Sequence, residues 1–138
     1  MIRTNRGMEN GLQIWLSFTP DPWTRPDDND GITPKQRESW SNDDWFYVNA
    51  IVTVLLDGIE VGSASYPGIE FGTFLNTNEN DEITGTTEID ENQVWAYVGN
   101  ELAGQAIEQA YEFSDAIRAW RVANPTAMEL RDAARESA

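Results

Sequence analysis

The stretch that most constrains the fold runs from Trp45 to Leu56 and is followed by Asp57-Gly58. Every second residue of this stretch is apolar and the alternate positions are mixed, a period of two that is typical of a strand covered on one face. Asp-Gly is preferred in two-residue type I′ turns, because both central positions need positive φ. The return strand, IEVGSASY, keeps the apolar face if Val61 lies opposite Val54. The sequence therefore predicts an antiparallel hairpin with a central strand.

Two further strands and two loops are predicted on either side of this hairpin. Leu12–Phe18 alternates apolar and mixed residues, and residues 69–75, IEFGTFL, are consistent with an edge strand. Residues 20–44 contain four prolines and many Asp, Asn and Ser residues, which indicates a long loop. Residues 75–90 are predicted to form an acidic loop. The length of 138 residues suits a single domain covering 1–138.

A long helix is predicted over 90–123. Asp90 and Gln93 have the spacing of a capping box, and apolar residues recur at intervals of three and four as far as Trp120. A short second helix is predicted over 126–136. The expected class is therefore α+β: an antiparallel sheet of three to four strands packed on one long C-terminal helix, plus the short helix.

Composition excludes several kinds of chemistry. The chain has no Cys and no His, so it has no disulfide, no thiolate zinc site and no histidine general base. With 24 acidic residues, a pair of carboxylates at catalytic distance would arise by chance, so glycosidase chemistry has no specific signal. The stretch from Asp27 to Glu38 resembles a calcium loop, but its glycine, Gly31, is one position early. We expect no enzyme activity, no catalytic residue, no metal and no cofactor.

The sequence has no pattern that is typical of a targeting or membrane-spanning segment. The N-terminal residues have two Arg but no apolar run behind them, so we expect no signal peptide. The longest apolar run is too short to span a bilayer. These patterns predict a soluble protein in the cytoplasm.

The charge is concentrated in one block of the chain. Residues 38–117 hold 16 acidic residues and no Lys or Arg, whereas the other 58 residues hold 8 acidic and 9 basic ones. The net charge of −15 therefore belongs to this block. Such a charge repels nucleic acid and anionic membranes, so neither is expected as a direct ligand.

On the predicted helix the acids are arranged in one stripe. Glu101, Glu108, Glu112 and Asp115 follow spacings of seven, four and three residues, which places them roughly opposite the apolar face. An ordinary solvated face, a solubility-driven surface and metal buffering remain alternatives. A basic protein partner would most simply relieve the repulsion. The candidate partner-binding residues are Glu79, Asp81, Glu82, Glu88, Glu101, Glu108, Glu112, Asp115, Asp43, Asp44 and Trp40.

Three tryptophans lie in or beside the 20–44 segment, interleaved with Asp residues. Trp23, Trp40 and Trp45 either fold back over the open face of the sheet beside Trp15, or stay exposed as anchors for a partner. The sequence leaves both arrangements open.

Residues 41–70, SNDDWFYVNAIVTVLLDGIEVGSASYPGIE, and residues 94–110, VWAYVGNELAGQAIEQA, resemble small uncharacterised acidic proteins of actinobacterial phages. The shared features are a W-x-N-D-x-W start, a D-G-x-E-L-G-S-A-S-x-x-G-I-E segment and an E-L-A-x-x-A helix. The chain departs from them at Tyr66-Pro67, where Leu-Trp is expected. The resemblance carries no assigned activity and implies a phage accessory gene, a class that includes acidic DNA-mimic inhibitors.

Together these features predict a non-enzymatic inhibitor of anti-CRISPR or anti-restriction type. Its partner would be a basic nucleic-acid-binding protein or complex of the host, bound without direct nucleic-acid or membrane contact. A phage structural or assembly protein is the alternative; it would oligomerise, as a homodimer for example, through a sheet edge or through Trp15, Tyr47 and Ile51. A carbohydrate-binding module with exposed Trp residues is a third hypothesis.

Overall fold

A computed structural model describes residues 3–28 and 31–123. It contains five strands and three helices, with a short 3-10 turn at Pro26–Asp28 and a π-helical turn at Trp95–Gly99. The strands and helices are β1 (Arg3–Glu9), β2 (Leu12–Pro20), α1 (Pro34–Ser41), β3 (Trp45–Leu56), β4 (Ile59–Thr77), β5 (Ile83–Ile89), α2 (Glu91–Val94) and α3 (Asn100–Ala123).

The strands form one antiparallel sheet in the order β1-β2-β3-β4-β5. The α+β class is confirmed, but the expectation of three to four strands is wrong, because the described residues contain five. The two missed strands are the edges of the sheet. Strand β1, RTNRGME, and strand β5, ITGTTEI, are largely exposed. An edge strand with no buried face lacks the apolar alternation by which strands are recognised.

The main core lies between one face of the sheet and α3. The predicted apolar alternation of β2 and β3 is confirmed: Leu16, Val52 and Val54 have no exposed surface, and Ala50 is equally buried. From the helical side, the small and apolar residues at positions 94, 98, 102, 103, 106 and 110 face this core. The apolar residues that recur at every second position of the strands therefore pack against those that recur every three to four positions in the helix, and together they form a single apolar layer.

The central hairpin has the predicted turn, with φ values of 51° at Asp57 and 80° at Gly58. Its register differs by one residue, however, because a bulge next to the turn places Val54 opposite Gly62 and not opposite Val61. Strand β4 is 19 residues long in all and runs through a second irregularity at Pro67-Gly68, where two separate strands were expected. A bulge lets a strand bend and pass a proline without ending.

The other face of the sheet is partly covered by α1. The prediction of a loop over 20–44 is wrong here, because Pro34–Ser41 is helical. Thr33 and Gln36 cap this helix reciprocally, and Pro34 occupies its first turn, where a missing N–H does no harm. The buried residues beneath α1 are Ile32, Trp45 and Tyr47, against which Trp40 and Phe74 pack.

The 75–90 segment is also shorter as a loop than expected. Strand β4 extends to Thr77 and β5 begins at Ile83, so only residues 78–82 form a turn. Of the acidic residues in this segment, Glu79, Asp81 and Glu82 lie in the turn and only Glu88 lies within a strand, so like charges do not face each other across the β4–β5 pair.

The C-terminal helical segment begins as predicted. The Asp90 carboxylate accepts hydrogen bonds from the backbone N–H groups of Asn92 and Gln93, and the Asp90 N–H donates one to the Gln93 side-chain oxygen. The turn at Trp95–Gly99 is π-helical, and a side chain on Gly99 would overlap the Trp95 ring. The predicted helix over 126–136 lies outside the described residues. In the described part of the chain, no helix has the length and apolar character needed to cross a membrane.

Candidate partner-binding surfaces

The acidic stripe predicted on the long helix is present on α3. We use this name for Glu101, Glu108, Glu112 and Asp115, all of which are exposed. Leu102, Ala106 and Ala110 are buried on the opposite side of the same helix. At 100° per residue, the four acids fall within about 60° of one another around the helix axis. They therefore form one continuous line of negative charge facing solvent.

This stripe has little internal compensation. Arg118 Nη1 lies 4.0 Å from Asp115 Oδ1, and both side chains are about three-quarters exposed. An exposed ion pair of this kind contributes well under about 1 kcal/mol. Among the described residues, Glu101, Glu108 and Glu112 have no ion-pair partner. The charge of the stripe is therefore available to a basic surface.

A second acidic feature is the turn at residues 78–82. The side-chain oxygen of Asn78 accepts hydrogen bonds from the N–H groups of Asn80 and Glu82, both at 2.9 Å. The carboxylate of Asp81 accepts a 3.4 Å bond from the Lys35 N–H, in the first turn of α1, where negative charge is favourable. Glu79 and Glu82 are exposed. The turn thus has a defined conformation and is hydrogen-bonded to α1.

Glu88 and Asp44 make local hydrogen bonds and still face solvent. Glu88 Oε1 accepts a 2.6 Å bond from the Thr73 hydroxyl across the β4–β5 pair. Asp44 Oδ2 accepts a 3.0 Å bond from the buried Ser39 hydroxyl at the end of α1. These two carboxylates therefore contribute to the sheet and to the α1 end as well as to the surface charge.

The structure divides the candidate residues between two faces of the sheet. The acidic stripe lies on the α3 side, whereas Trp40, Asp43 and Asp44 lie at the end of α1, which covers the opposite face. This division could not be predicted from the sequence, because all of these residues belong to one acidic block of the chain. They form at least two separate surfaces.

The surface at the end of α1 contains a groove, which we call the aromatic groove. Its volume is about 550 Å³, and it lies where β2 ends and β3 begins. Four of the nine residues that line it are aromatic and none is basic: Pro20, Asp21, Pro22, Trp40, Ser41, Asp43, Trp45, Phe46 and Tyr47. Of these, only Trp40 and Asp43 were among the candidate residues.

Asp21 anchors one wall of this groove. Its side chain is 7 % exposed and accepts four hydrogen bonds, from the Trp23, Thr24 and Gly68 N–H groups and from the Thr24 hydroxyl at 2.6 Å. The Thr24 hydroxyl bond, helped by the three backbone donors, lowers the pKa of Asp21 below its ordinary value despite the burial. The sequence signal for this cluster was an Asp between two prolines at a strand end.

The three tryptophans near this surface behave differently from one another. Trp45 is completely buried, and Trp40 packs from α1 against the cluster that contains it, so neither stays exposed as an anchor. Trp23 is 87 % exposed on the turn that Asp21 holds. An exposed indole on a fixed turn is the kind of residue that anchors interfaces. The sequence alone could not distinguish Trp23 from the others.

Within residues 3–28 and 31–123, no group of three or more carboxylates is placed so that it could hold a metal ion. The calcium-like stretch from Asp27 includes residues 29 and 30, which lie outside the described ranges. No family model, curated protein or solved structure matches the chain. The function is therefore inferred from the two surfaces themselves.

Proposed function

We propose that this protein is a non-enzymatic phage accessory protein that inhibits a nucleic-acid-binding defence complex of the host, of anti-CRISPR or anti-restriction type. The acidic stripe of α3 occupies a channel lined with Lys and Arg in place of nucleic acid. The observation that carries the proposal is the uncompensated exposure of Glu101, Glu108 and Glu112 on one helix face.

The spacing of the stripe supports this role. At a rise of about 1.5 Å per residue, its four carboxylates lie roughly 10, 6 and 4.5 Å apart along the helix axis. One DNA strand carries a phosphate about every 3.4 Å along the duplex. A rigid helix can thus present charges at intervals comparable with one, two or three phosphates. Coulomb attraction between such a row and a basic channel speeds association and fixes orientation.

The energetics also favour a partner. An 80-residue block with 16 acids and no base is subject to self-repulsion that a few Lys or Arg residues would relieve. A basic channel supplies that relief on binding. The site of action is the host cytoplasm, and the acidic surface avoids direct contact with nucleic acid and membranes.

The proposal is tested with a matched pair of charge-reversal variants. Glu108→Lys/Glu112→Lys alters the stripe, and Glu9→Lys/Glu60→Lys alters exposed acids outside it; each pair raises the net charge of −15 by four. Each protein is used as bait in host lysate at low salt, eluted with a salt gradient and analysed by mass spectrometry.

Under the proposal, wild type and the Glu9/Glu60 pair recover the same nucleic-acid-processing complex and inhibit it, while the Glu108/Glu112 pair loses at least about tenfold in affinity. Raising salt from about 50 to 200 mM weakens wild-type binding by about 10- to 100-fold. If both pairs inhibit as well as wild type, the mimicry proposal is wrong.

A phage structural or assembly role, with oligomerisation through a sheet edge, is the second candidate. The observation that favours it is β5, which pairs with β4 on one side and with no described strand on the other. Its sequence, ITGTTEI, contains neither Pro nor Lys, the residues that commonly protect edges. Tyr47 is only 2 % exposed, so Trp15 and Ile51 are the informative positions on the open sheet face.

The two candidates differ in their response to salt. Strand-edge oligomers of a chain with net charge −15 should form more readily as salt screens the repulsion, whereas binding to a basic channel should weaken. Sedimentation of the pure protein at low and high salt distinguishes them. A salt-promoted oligomer that a Thr86→Pro substitution in β5 disperses would favour the structural role.

A further inference from the structure

The aromatic groove lies where the sheet loses one strand. The Asp21 N–H donates a 2.9 Å hydrogen bond to the Tyr47 carbonyl, and the chain then turns away at Pro22. Strand β3, however, continues for two residues beyond this point, to Trp45. Beyond the end of β2, the start of β3 therefore has a groove beside it, closed on the far side by the end of α1.

The base of this groove is rigid. Trp45 is fully buried, and its indole N–H donates a 3.0 Å hydrogen bond to the Gln36 carbonyl in α1. The Trp45 and Tyr47 rings meet edge to face with centroids 5.1 Å apart. On the opposite wall, four hydrogen bonds to the Asp21 carboxylate fix the turn that contains Pro22. Such a groove keeps its shape without a ligand, which lowers the entropy lost on binding.

The accessible part of the groove combines apolar planes with one available carboxylate. Trp40 and Phe46 retain exposed surface, and Phe46 is 44 % exposed. Asp43 is exposed at the rim, with φ of 63° and its N–H bonded to the Trp40 carbonyl at 3.0 Å. The Asp43 carboxylate accepts no hydrogen bond from the described residues, and no basic residue lines the groove.

We propose that the aromatic groove binds one arginine side chain of the basic partner. The guanidinium stacks against the Trp40 ring, its methylenes lie on the prolines, and the Asp43 carboxylate accepts its N–H groups. Arginine suits this site because its planar, weakly hydrated cation both stacks on aromatic rings and forms bidentate bonds with a carboxylate. The partner's identity as a basic protein rests on the proposed function, but the chemistry of the groove can be tested without it.

The test uses a short peptide with a single arginine flanked by glycines, with blocked ends, and an identical peptide containing citrulline. Citrulline keeps the shape and removes the charge. Binding is followed by the NMR signals of the six tryptophan indole N–H groups, with the Trp40 signal assigned from its loss in Trp40→Phe. We expect the arginine peptide to shift the Trp40 signal in a saturable way and the citrulline peptide to bind at least about tenfold more weakly.

Two variants locate the site. Asp43→Asn keeps the φ of 63°, which Asn tolerates, and should weaken arginine binding about three- to tenfold. Trp40→Ala should weaken it by about tenfold or more, with circular dichroism checking that the protein stays folded. The Glu108→Lys/Glu112→Lys protein should bind the arginine peptide as wild type does, because the stripe lies on the opposite side of the sheet.

The outcomes separate this inference from the proposed function. If the two peptides bind equally, or if arginine binding is lost in the Glu108/Glu112 variant and kept in Asp43→Asn, the groove is not an arginine site. If the stripe variants abolish capture of the partner while Trp40→Ala and Asp43→Asn leave it unchanged, the proposed function stands and the inference is overturned. Arginine binding in the groove without capture of any basic partner would overturn the proposed function and support the inference.

Discussion

The backbone of Gly62 in β4 lies directly against the Ala106 carbonyl in α3. A Cβ added at Gly62 would overlap that carbonyl oxygen and would lie 3.2 Å from the Ala110 nitrogen. Gly62 is also the residue opposite Val54 at the bulge next to the hairpin. The absence of a side chain at this position sets how closely the helix carrying the acidic stripe approaches the sheet.

We therefore expect Gly62→Ala to destabilise the protein by about 1–3 kcal/mol, because the helix has to move away from a well-packed core. The matched control is Gly85→Ala in β5, where no atom lies within 4 Å of the added Cβ and φ lies outside the positive range that disfavours side chains. This control should change stability by less than about 0.5 kcal/mol. Urea unfolding measures both, and equal effects would show that the close approach has no energetic importance.

Asp21 should make stability depend on pH. Its pKa is lowered in the folded state by the Thr24 hydroxyl and the backbone donors, so its stabilising contribution is present above the unfolded-state pKa of about 3.9. That contribution is lost as the pH falls through the lower folded-state pKa. Asp21→Asn should lower stability at pH 7 by about 1–3 kcal/mol, because an amide cannot accept all four hydrogen bonds.

The difference in unfolding free energy between wild type and Asp21→Asn should therefore be constant from pH 7 to about pH 5 and become smaller below about pH 4. Thermal or urea unfolding across this range measures it. Taking the difference between the two proteins removes the general effect of neutralising the other carboxylates. Asp57→Asn serves as control, since Asp57 is exposed and Asn-Gly suits the same turn. A difference in unfolding free energy that stays constant down to pH 3 would contradict this role for Asp21.

Replacing Trp by Phe should reduce stability far more at Trp45 than at Trp23. Trp45→Phe removes the hydrogen bond to the Gln36 carbonyl and leaves a gap in a fully buried site, so we expect a loss of about 2–4 kcal/mol. Trp23→Phe changes a side chain that is 87 % exposed and should cost less than about 0.5 kcal/mol. Similar losses in urea unfolding would mean that Trp23 packs on the protein in solution.

The acidic stripe should reduce the stability of the free protein. Glu108→Lys places a cation one helical turn before Glu112, which exchanges repulsion for attraction, and we expect a gain of about 0.3–1 kcal/mol at low salt. The gain should shrink as salt is added. Glu9→Lys, on a strand outside the stripe, gives the charge-matched control. Under the proposed function, the more stable Glu108→Lys protein is the poorer inhibitor. If the substitution brings no gain in stability, the acids of the stripe do not repel each other appreciably in the free protein.

The sequence determined the parts of the fold whose signals are local. The alternation in β2 and β3, the Asp57-Gly58 turn and the capping box at Asp90 all appear as expected, because each depends on the period or dihedral angles of a few neighbouring residues. The exposed stripe on α3 follows in the same way from helical spacing. For these features a local pattern is enough to predict the conformation, although the strands still need their neighbours in the sheet in order to form.

The tertiary structure decided what depends on distant pairing. Strands β1 and β5 exist because a neighbouring strand satisfies their backbone groups, and β4 passes Pro67-Gly68 because Gly68 donates its N–H to Asp21, 47 residues away. Helix α1 forms within a proline-rich segment because Trp45 and Tyr47 provide an apolar surface for it. The division of the acidic block into two faces, and the aromatic groove itself, arise only when the sheet is assembled, since their residues are far apart along the chain.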